Sequence, residues 1–118
     1  MVAMERPAGQ ADRIPTFGII GAGMSGILAA IKLQEAGYGF TVFEKADRLG
    51  GTWRENTYPG IACDVPSHIY SYSFALNPEW SHFASPGAEI LEYFENVAHR
   101  YGVDDQIRFS DPVVRCTW

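Results

Sequence analysis

The sequence of 118 residues is poor in cysteine and contains neither a basic run nor a long apolar run, and each shortage excludes a class of protein. The two cysteines, Cys63 and Cys116, match neither C-x-x-C nor a zinc-ligand spacing, so we predict no metal site, reduced thiols and a cytoplasmic location. No stretch reaches the roughly 18 apolar residues of a membrane helix. The net charge is −5 without a cluster of Lys and Arg, which argues against nucleic acid or an anionic membrane as a partner.

What the sequence does contain is a glycine-rich turn between an apolar run, residues 17–20, and a helical pattern. The turn reads G-x-G-x-x-G. In this pattern Gly21 permits a tight turn, Gly23 lets the backbone approach a pyrophosphate, and Gly26 lets helix and strand pack closely. The helix is predicted to end at Gly37, and its N-terminal N–H groups and dipole would face the anion.

A second apolar segment, residues 40–43, is predicted to be a strand that completes the start of a β-α-β unit. Glu44 ends this strand and follows Gly26 by roughly the 20 residues at which an acid binds the ribose of an adenine dinucleotide. The alternative is a glycine-lined turn without a ligand, with Glu44 as a solvated strand end. We therefore predict an α/β, Rossmann-like dinucleotide-binding fold in residues 16–118, after a flexible leader in residues 1–15.

About forty irregular residues follow Lys45, where a plain Rossmann unit would have a crossover helix, and insertions of this length are usually functional. The adjacent Gly50 and Gly51 can bring backbone amides against a ligand. Thr52 and Trp53 would then be placed to touch that ligand, although a tryptophan on its own more often fills the core than contacts a ligand.

Asp64 stands among apolar neighbours after the turn 58–60. Its carboxylate is expected either to cap the segment that follows or to be buried beside a cation, because an unpaired buried carboxylate is costly. The alternation in residues 67–74 predicts an extended segment with one side buried, in which His68 is interpreted as a satisfied structural histidine.

The last third of the chain is predicted to supply a delayed crossover helix and two strands. A surface loop over residues 75–85 leads to a helix with Ser85 as N-cap, which Gly102 ends. Residues 107–109 would form the third parallel strand, and residues 113–118 a further strand. The apolar stripe of the helix comprises Ile90, Leu91, Phe94, Val97, Ala98 and Tyr101.

Together these motifs resemble the N-terminal FAD-binding region of class B flavoprotein monooxygenases, over residues 16–118. Flavin-containing N- and S-oxygenating monooxygenases share the first fingerprint, but Thr52 in Gly-Gly-Thr-Trp and the pairing of Tyr-Pro-Gly with Cys63-Asp64 look more like the Baeyer–Villiger branch. The resemblance rests on Gly21-x-Gly23-x-x-Gly26, Glu44, Gly50-Gly51-Thr52-Trp53, Tyr58-Pro59-Gly60, Cys63-Asp64 and Ile69-Tyr70-Ser71-Tyr72-Ser73-Phe74.

The resemblance implies a role for residues at the adenosine and pyrophosphate end of FAD. Glu44 would bind the adenosine ribose, and the backbone of Val113 would contact the adenine. The FAD pyrophosphate would be cradled by Gly21, Gly23, Ser25 and Gly26.

At the flavin end, the resemblance places Thr52 and Trp53 along the flavin, and Asp64 and Tyr70 near the isoalloxazine. The segment Ala62-Cys63-Asp64 would also lie beside the nicotinamide cofactor. Asp64 would be catalytic in the sense that it helps to hold an active-site arginine.

The chemistry implied by the resemblance is NADPH-dependent oxygenation. NADPH reduces the flavin, O2 forms a C4a-peroxyflavin, and the substrate is a ketone, an aldehyde or a soft heteroatom. The cofactor carries this reaction, while the protein orients and shields it.

Parts of the family pattern are absent from this sequence: a second G-x-G-x-x-G, the F-x-G-x-x-x-H-x-x-x-W-P fingerprint and the arginine partner. We therefore expect only the N-terminal part of a flavoprotein with two dinucleotide-binding domains, without its NADPH domain and inactive alone. The alternative is a stand-alone or degenerate adenine-dinucleotide-binding module without catalysis. A disulfide reductase is disfavoured because no C-x-x-x-x-C pair exists.

Overall fold

A computed structural model of the protein describes residues 14–118, so most of the predicted leader, residues 1–13, lies outside the described residues. The described part contains a parallel sheet in the order β1-β2-β3. The strands are β1 (Thr16–Ile20), β2 (Gly39–Phe43) and β3 (Ile107–Arg108). The predicted β-α-β start and the parallel third strand are both confirmed.

Three helices accompany the sheet: α1 (Met24–Glu35), the short α2 (Thr52–Glu55) and α3 (Gly87–Arg100), followed by a 3-10 turn (Asp104–Gln106). Gly37 and Gly102 adopt φ values of +77° and +68° just beyond α1 and α3, a left-handed conformation that favours glycine and ends a helix. Within residues 14–118, no helix combines the length and apolar character needed to cross a membrane.

The core lies where α1 packs against β1 and β2 and where α3 packs against α1 and α2. The predicted stripe of α3 is buried except at Leu91 and Tyr101, which are half-buried. The prediction missed Tyr93, which is also buried. The largest fully buried side chains include Phe94, Ile27, Ile31, Ile90, Val42 and Val103.

Residues 67–74 do not form the predicted extended segment. The N–H groups of Ile69 and Tyr70 both donate to the carbonyl of Pro66, at 3.0 and 3.1 Å. These two local hydrogen bonds bend the backbone into turns. His68 was expected to be a satisfied structural histidine, but its side chain is exposed. Aromatic alternation was misleading here because the turns, and not a pleated strand, bring Tyr72 into the core.

Two predictions at the start of α3 are also wrong. Ser85 is not the N-cap, because its N–H donates to Ser67 Oγ (2.8 Å), its hydroxyl donates to the His82 carbonyl (3.3 Å), and α3 begins only at Gly87. The preceding loop is not a surface loop throughout. Trp80 is 8% exposed, and its ring lies 5.2 Å from that of Tyr93.

The predicted strand over residues 113–118 is absent from the described structure. The N–H of Asp111 donates to the Glu44 carbonyl at 3.0 Å, and beyond this residue the chain leaves the sheet. Ser110 turns the backbone at φ +54°, and Val114 is 90% exposed. Because a strand requires a neighbour to complete its hydrogen-bond ladder, this segment stays irregular.

Candidate functional site

The glycine-rich turn joins the carboxyl end of β1 to α1. Gly21 has φ +95°, and its N–H donates to the carbonyl of Phe43 at 2.8 Å, so the turn is tied to the end of β2. A Cβ atom on Gly26 would lie 1.9 Å from the Gly21 carbonyl oxygen. Helix and strand can therefore approach this closely only with glycine at position 26, as the pattern predicts.

The first turn of α1 presents free backbone donors. The first bond of the helix runs from the N–H of Ile27 to the carbonyl of Gly23 (3.0 Å), and no side chain caps the helix. The N–H groups of residues 24–26 consequently find no protein acceptor in the described part of the chain. These donors and the positive end of the helix dipole favour an anion at this point.

The second glycine pair packs directly against this turn. The N–H of Gly50 donates to the carbonyl of Ala22 at 2.9 Å. Gly51 has φ +54°, and a Cβ there would lie 3.1 Å from the Cα of Gly23. Gly50 has φ +126°, and its Cβ would lie 2.3 Å from Leu91 Cδ1. Glycine at position 51 thus allows the two loops to approach, and glycine at position 50 leaves room for Leu91 of α3. Both are reasons beyond the ligand contact that the sequence suggests.

Two neighbouring clefts, of about 320 and 340 Å3, open along this glycine-lined floor. The first is also lined by Ser25, Gly26, Thr52, Trp53 and Tyr70, and the second by Glu44 and Val113. The residues common to both are Ile20, Gly21, Gly23 and Gly51. The structure therefore brings most of the predicted cofactor-binding residues into one elongated site, with the glycines at its middle.

Glu44 is held firmly at one end of this site. Its side chain is 6% exposed, Oε2 accepts the N–H of Ala22 (2.6 Å), and Oε1 accepts the N–H of Ala46 (2.8 Å). The alternative of a solvated strand end is therefore wrong. Each carboxylate oxygen keeps a further lone pair with which it can accept a hydroxyl.

Aromatic side chains form the other end of the site. The indole N–H of Trp53 donates to Tyr70 Oη at 3.2 Å, and the two rings meet edge to face at 5.7 Å. The Tyr70 hydroxyl donates to the sulfur of Met24 at 3.0 Å. Trp53 is half-buried and lines the cleft, so the core and ligand-facing interpretations both apply to it. Met24 lines the same cleft but was not predicted, because the x positions of the glycine pattern carry no signal.

The segment Ala62-Cys63-Asp64 lines neither cleft. Ala62 forms an antiparallel bridge with Pro86, and the N–H of buried Cys63 donates to the Ser85 carbonyl at 3.0 Å, so the segment is attached to the start of α3. Asp64 is exposed and makes no hydrogen bond or ion pair with residues 14–118. Neither a capping Asp64 nor a buried ion pair is found among them.

The fold and the site together define a dinucleotide-binding domain. Residues 19–86 match the family model of the NAD(P)-binding Rossmann-like domain, and the chain belongs to this family.

Several known monooxygenases are similar to this chain in sequence or structure. A Baeyer–Villiger monooxygenase of Streptomyces coelicolor is 48% identical over 101 residues, which cover 85% of this chain and 20% of the relative. The FAD-binding monooxygenase moxY of Dothistroma septosporum is 46% identical over 101 residues, covering 84% and 16%. An oxidized steroid monooxygenase bound to NADP superposes with a TM-score of 0.75 at 40% identity, covering 80% and 19%. The resemblance to this monooxygenase group is confirmed, and the chain spans about a fifth of the length of these relatives.

Proposed function

We propose that the chain is the FAD-binding portion of an NADPH- and O2-dependent flavin monooxygenase of the Baeyer–Villiger type. Its substrate would be a ketone, an aldehyde or a compound with a soft heteroatom. The observation that carries the proposal is the elongated site. At its middle are helix N–H groups that find no acceptor within residues 14–118, with an acid at one end and aromatic side chains at the other. An adenine dinucleotide has the same order of parts, with an anionic pyrophosphate between two ring systems.

The glycine floor of the site is suited to binding FAD. The floor of the site consists of glycine where the two clefts join, and a Cβ at Gly23 would have Gly51 Cα, at 3.7 Å, as its nearest neighbour. The protein fold therefore leaves room for a side chain at Gly23, so this position needs glycine for the ligand and not for packing. Gly21, Ser25 and Gly26 would bind the pyrophosphate with it.

The two ends of the site would hold the two halves of FAD. Glu44 would accept the ribose hydroxyls, and the backbone of Val113 would contact the adenine, because both line the second cleft. Gly51, Thr52, Trp53 and Tyr70 would lie along the flavin, since they line the first cleft. When bound, the flavin would supply the redox and oxygen chemistry, and these residues would orient it and limit its contact with water.

The proposal also includes NADPH as a second cofactor and a catalytic role for Asp64. Residues 62–64 lie outside both clefts, and the support comes from the similarity to a steroid monooxygenase that is bound to NADP. Exposed Asp64 is accessible to an arginine supplied from beyond residues 14–118. The cytoplasmic location stays a prediction, and the free thiols of both cysteines agree with it.

FAD binding is tested by titrating the chain with FAD and following flavin fluorescence. Gly23→Ala should weaken binding by at least about tenfold, because a methyl group would occupy the place of the pyrophosphate. Gly18→Ala is the matched control, since its Cβ would also meet only an ordinary contact, Phe43 Cε2 at 3.6 Å, and Gly18 lines neither cleft. Equal affinity in the two variants would overturn the assignment.

The enzyme class is tested on the complete gene product. We expect NADPH oxidation that consumes O2 and is stimulated by a ketone. Asp64→Asn should reduce oxygenation while FAD content is retained, because the charge that holds the proposed arginine is lost. A yellow protein that binds FAD but oxidises no NADPH would favour the alternative, a dinucleotide-binding module without catalysis.

A further inference from the structure

One buried tyrosine contacts the backbone of the anion-facing turn. The hydroxyl of Tyr72 donates a hydrogen bond to the carbonyl oxygen of Met24, the first residue of α1. This carbonyl belongs to the same peptide group as the N–H of Ser25, and Ser25 lines the first cleft. Tyr72 lines neither cleft, so it acts on the site through the peptide group alone.

The position of Tyr72 is set by several contacts. Its ring stacks on Phe74 with centroids 5.2 Å apart and planes inclined by 6°, and it meets the edge of Phe94 at 5.5 Å. Its N–H donates to Tyr93 Oη (2.9 Å), and the Tyr93 hydroxyl donates to the Ala75 carbonyl (2.7 Å). With 6% exposure, Tyr72 links the start of α1 to the core side of α3.

We propose that Tyr72 is a positioning residue for the pyrophosphate end of the site: it holds the Met24–Ser25 peptide and makes the Ser25 N–H a stronger donor to the anion. A hydrogen bond to a carbonyl oxygen polarises its peptide group, and neighbouring bonds then strengthen one another. The inference rests on the proposed binding of an adenine dinucleotide and adds a residue that touches no part of that ligand.

The Tyr72 hydroxyl is suited to be a permanent donor. Burial raises the pKa of this hydroxyl above its ordinary value of 10.0, and the neighbouring Tyr93 and Tyr70 raise the pKa further. The group therefore stays protonated at every pH at which the protein would work. Tyr70, which donates to the sulfur of Met24, orients the side chain of that residue and leaves its carbonyl to Tyr72.

The experiment compares Tyr72→Phe with Tyr101→Phe in the full chain. Tyr101 is a matched control because its hydroxyl also donates to a backbone carbonyl, that of Phe74 at 3.3 Å, away from the start of α1. Two quantities are measured by NMR: the chemical shift of the Ser25 amide proton in the free chain, and the affinities for ADP and adenosine. The ratio of the two affinities isolates the contribution of the pyrophosphate, which a general loss of structure would not change.

For Tyr72→Phe we expect an upfield shift of the Ser25 amide proton and about a three- to tenfold loss of affinity for ADP, the scale of one hydrogen bond. Adenosine affinity should change by less than about twofold, and Tyr101→Phe should alter none of these quantities. Equal losses for ADP and adenosine, or an unchanged Ser25 amide, would overturn the inference. A wild-type chain that binds neither ligand would overturn the proposed function. The chemical shift of the Ser25 amide proton, measured in the free chain, would still test the effect of Tyr72 on the Met24–Ser25 peptide.

Discussion

The two faces of the sheet differ in how they are covered. Residues paired across β1 and β2 point alternately to opposite faces, so Ile19 and Val42 face α1, while Ile20 and Phe43 face away from it. Val42 is 1% exposed, whereas Ile20 is 66% exposed. Parallel sheets are ordinarily covered on both faces. Packing in residues 14–118 is therefore one-sided, and the core lies where α1 packs against the sheet and where α3 packs against α1 and α2.

The covered face of the sheet supplies most of the stability, whereas the turns at the ends of the strands supply the binding site. The cleft floor is made by turns at the carboxyl ends of β1 and β2, and those turns are held by α1 and α3 on the packed face. The uncovered face contributes Ile20 to the rim of both clefts but few buried contacts. Substitutions of one chemical type on the two faces should consequently have very different effects.

The sharpest comparison replaces one isoleucine on each side by alanine. Ile27 is 1% exposed, so Ile27→Ala should lower the free energy of unfolding by about 2 to 5 kcal/mol through lost burial and a residual cavity. Ile20→Ala should cost less than about 1 kcal/mol, because its side chain is already largely in water. Urea unfolding followed by circular dichroism measures both values. Similar losses in the two variants would show that the second face is covered in solution.

A pair of glycine variants separates packing from binding. Gly26→Ala should destabilise the chain by about 1 to 3 kcal/mol and also abolish FAD binding, because its Cβ would lie 1.9 Å from the Gly21 carbonyl oxygen and push α1 away from β1. Gly23→Ala should weaken FAD binding by at least about tenfold at unchanged stability, because its Cβ would meet only an ordinary contact within the protein. Thermal unfolding and FAD titration of the same samples give both quantities, and an unaltered midpoint for Gly26→Ala would contradict the close approach.

Glu44 provides a smaller and more local effect. Glu44→Gln replaces one of two acceptor oxygens by an NH2 group, which cannot accept the N–H of Ala22 or Ala46, so we expect a loss of about 1 to 2 kcal/mol. Asp64→Asn is the control, because Asp64 is exposed and should leave stability unchanged. Chemical denaturation compares the two variants, and equal midpoints would mean that the bonds of Glu44 contribute nothing to folding.

The elements that sequence predicts well are those governed by local rules. The glycine turn, the strands of the first β-α-β unit and the C-terminal ends of α1 and α3 follow from glycine conformation and apolar periodicity, and the structure shows them. The contacts of Glu44 with Ala22 and of Gly51 with Gly23 were not predictable in detail, because each joins segments that are distant in sequence.

Predictions failed where a tertiary contact decided the outcome. Ser85 has the composition of an N-cap, but it bonds to Ser67 and His82, so its oxygen serves the loop and not the helix. Residues 113–118 have a strand-like composition, but no neighbouring strand is present among the described residues. A local pattern supplies a propensity, whereas the available partner determines the structure.

The smallest expected effect is the pH dependence of stability that comes from the pair His99 and Asp104. It tests whether the stability difference between the two faces of the sheet is independent of this titrating pair. The hydrogen bond and charge of Asp104, 2.9 Å from His99 Nδ1, raise the pKa of His99 above its ordinary value of 6.5. A raised pKa in the folded state adds stability that is fully present below pH 6.5 and is lost as the pH rises through the raised value. The urea midpoint of the wild type should therefore exceed that of Asp104→Asn slightly at about pH 5.5 and match it at about pH 8.5, and asparagine can still accept the Asp105 N–H. Because the exposed His99 lies in the last turn of α3 and Asp104 follows that helix, neither is part of the buried core, and the difference between Ile27→Ala and Ile20→Ala should be the same at both pH values. A difference that changes with pH would mean that a titrating group couples to one of the faces.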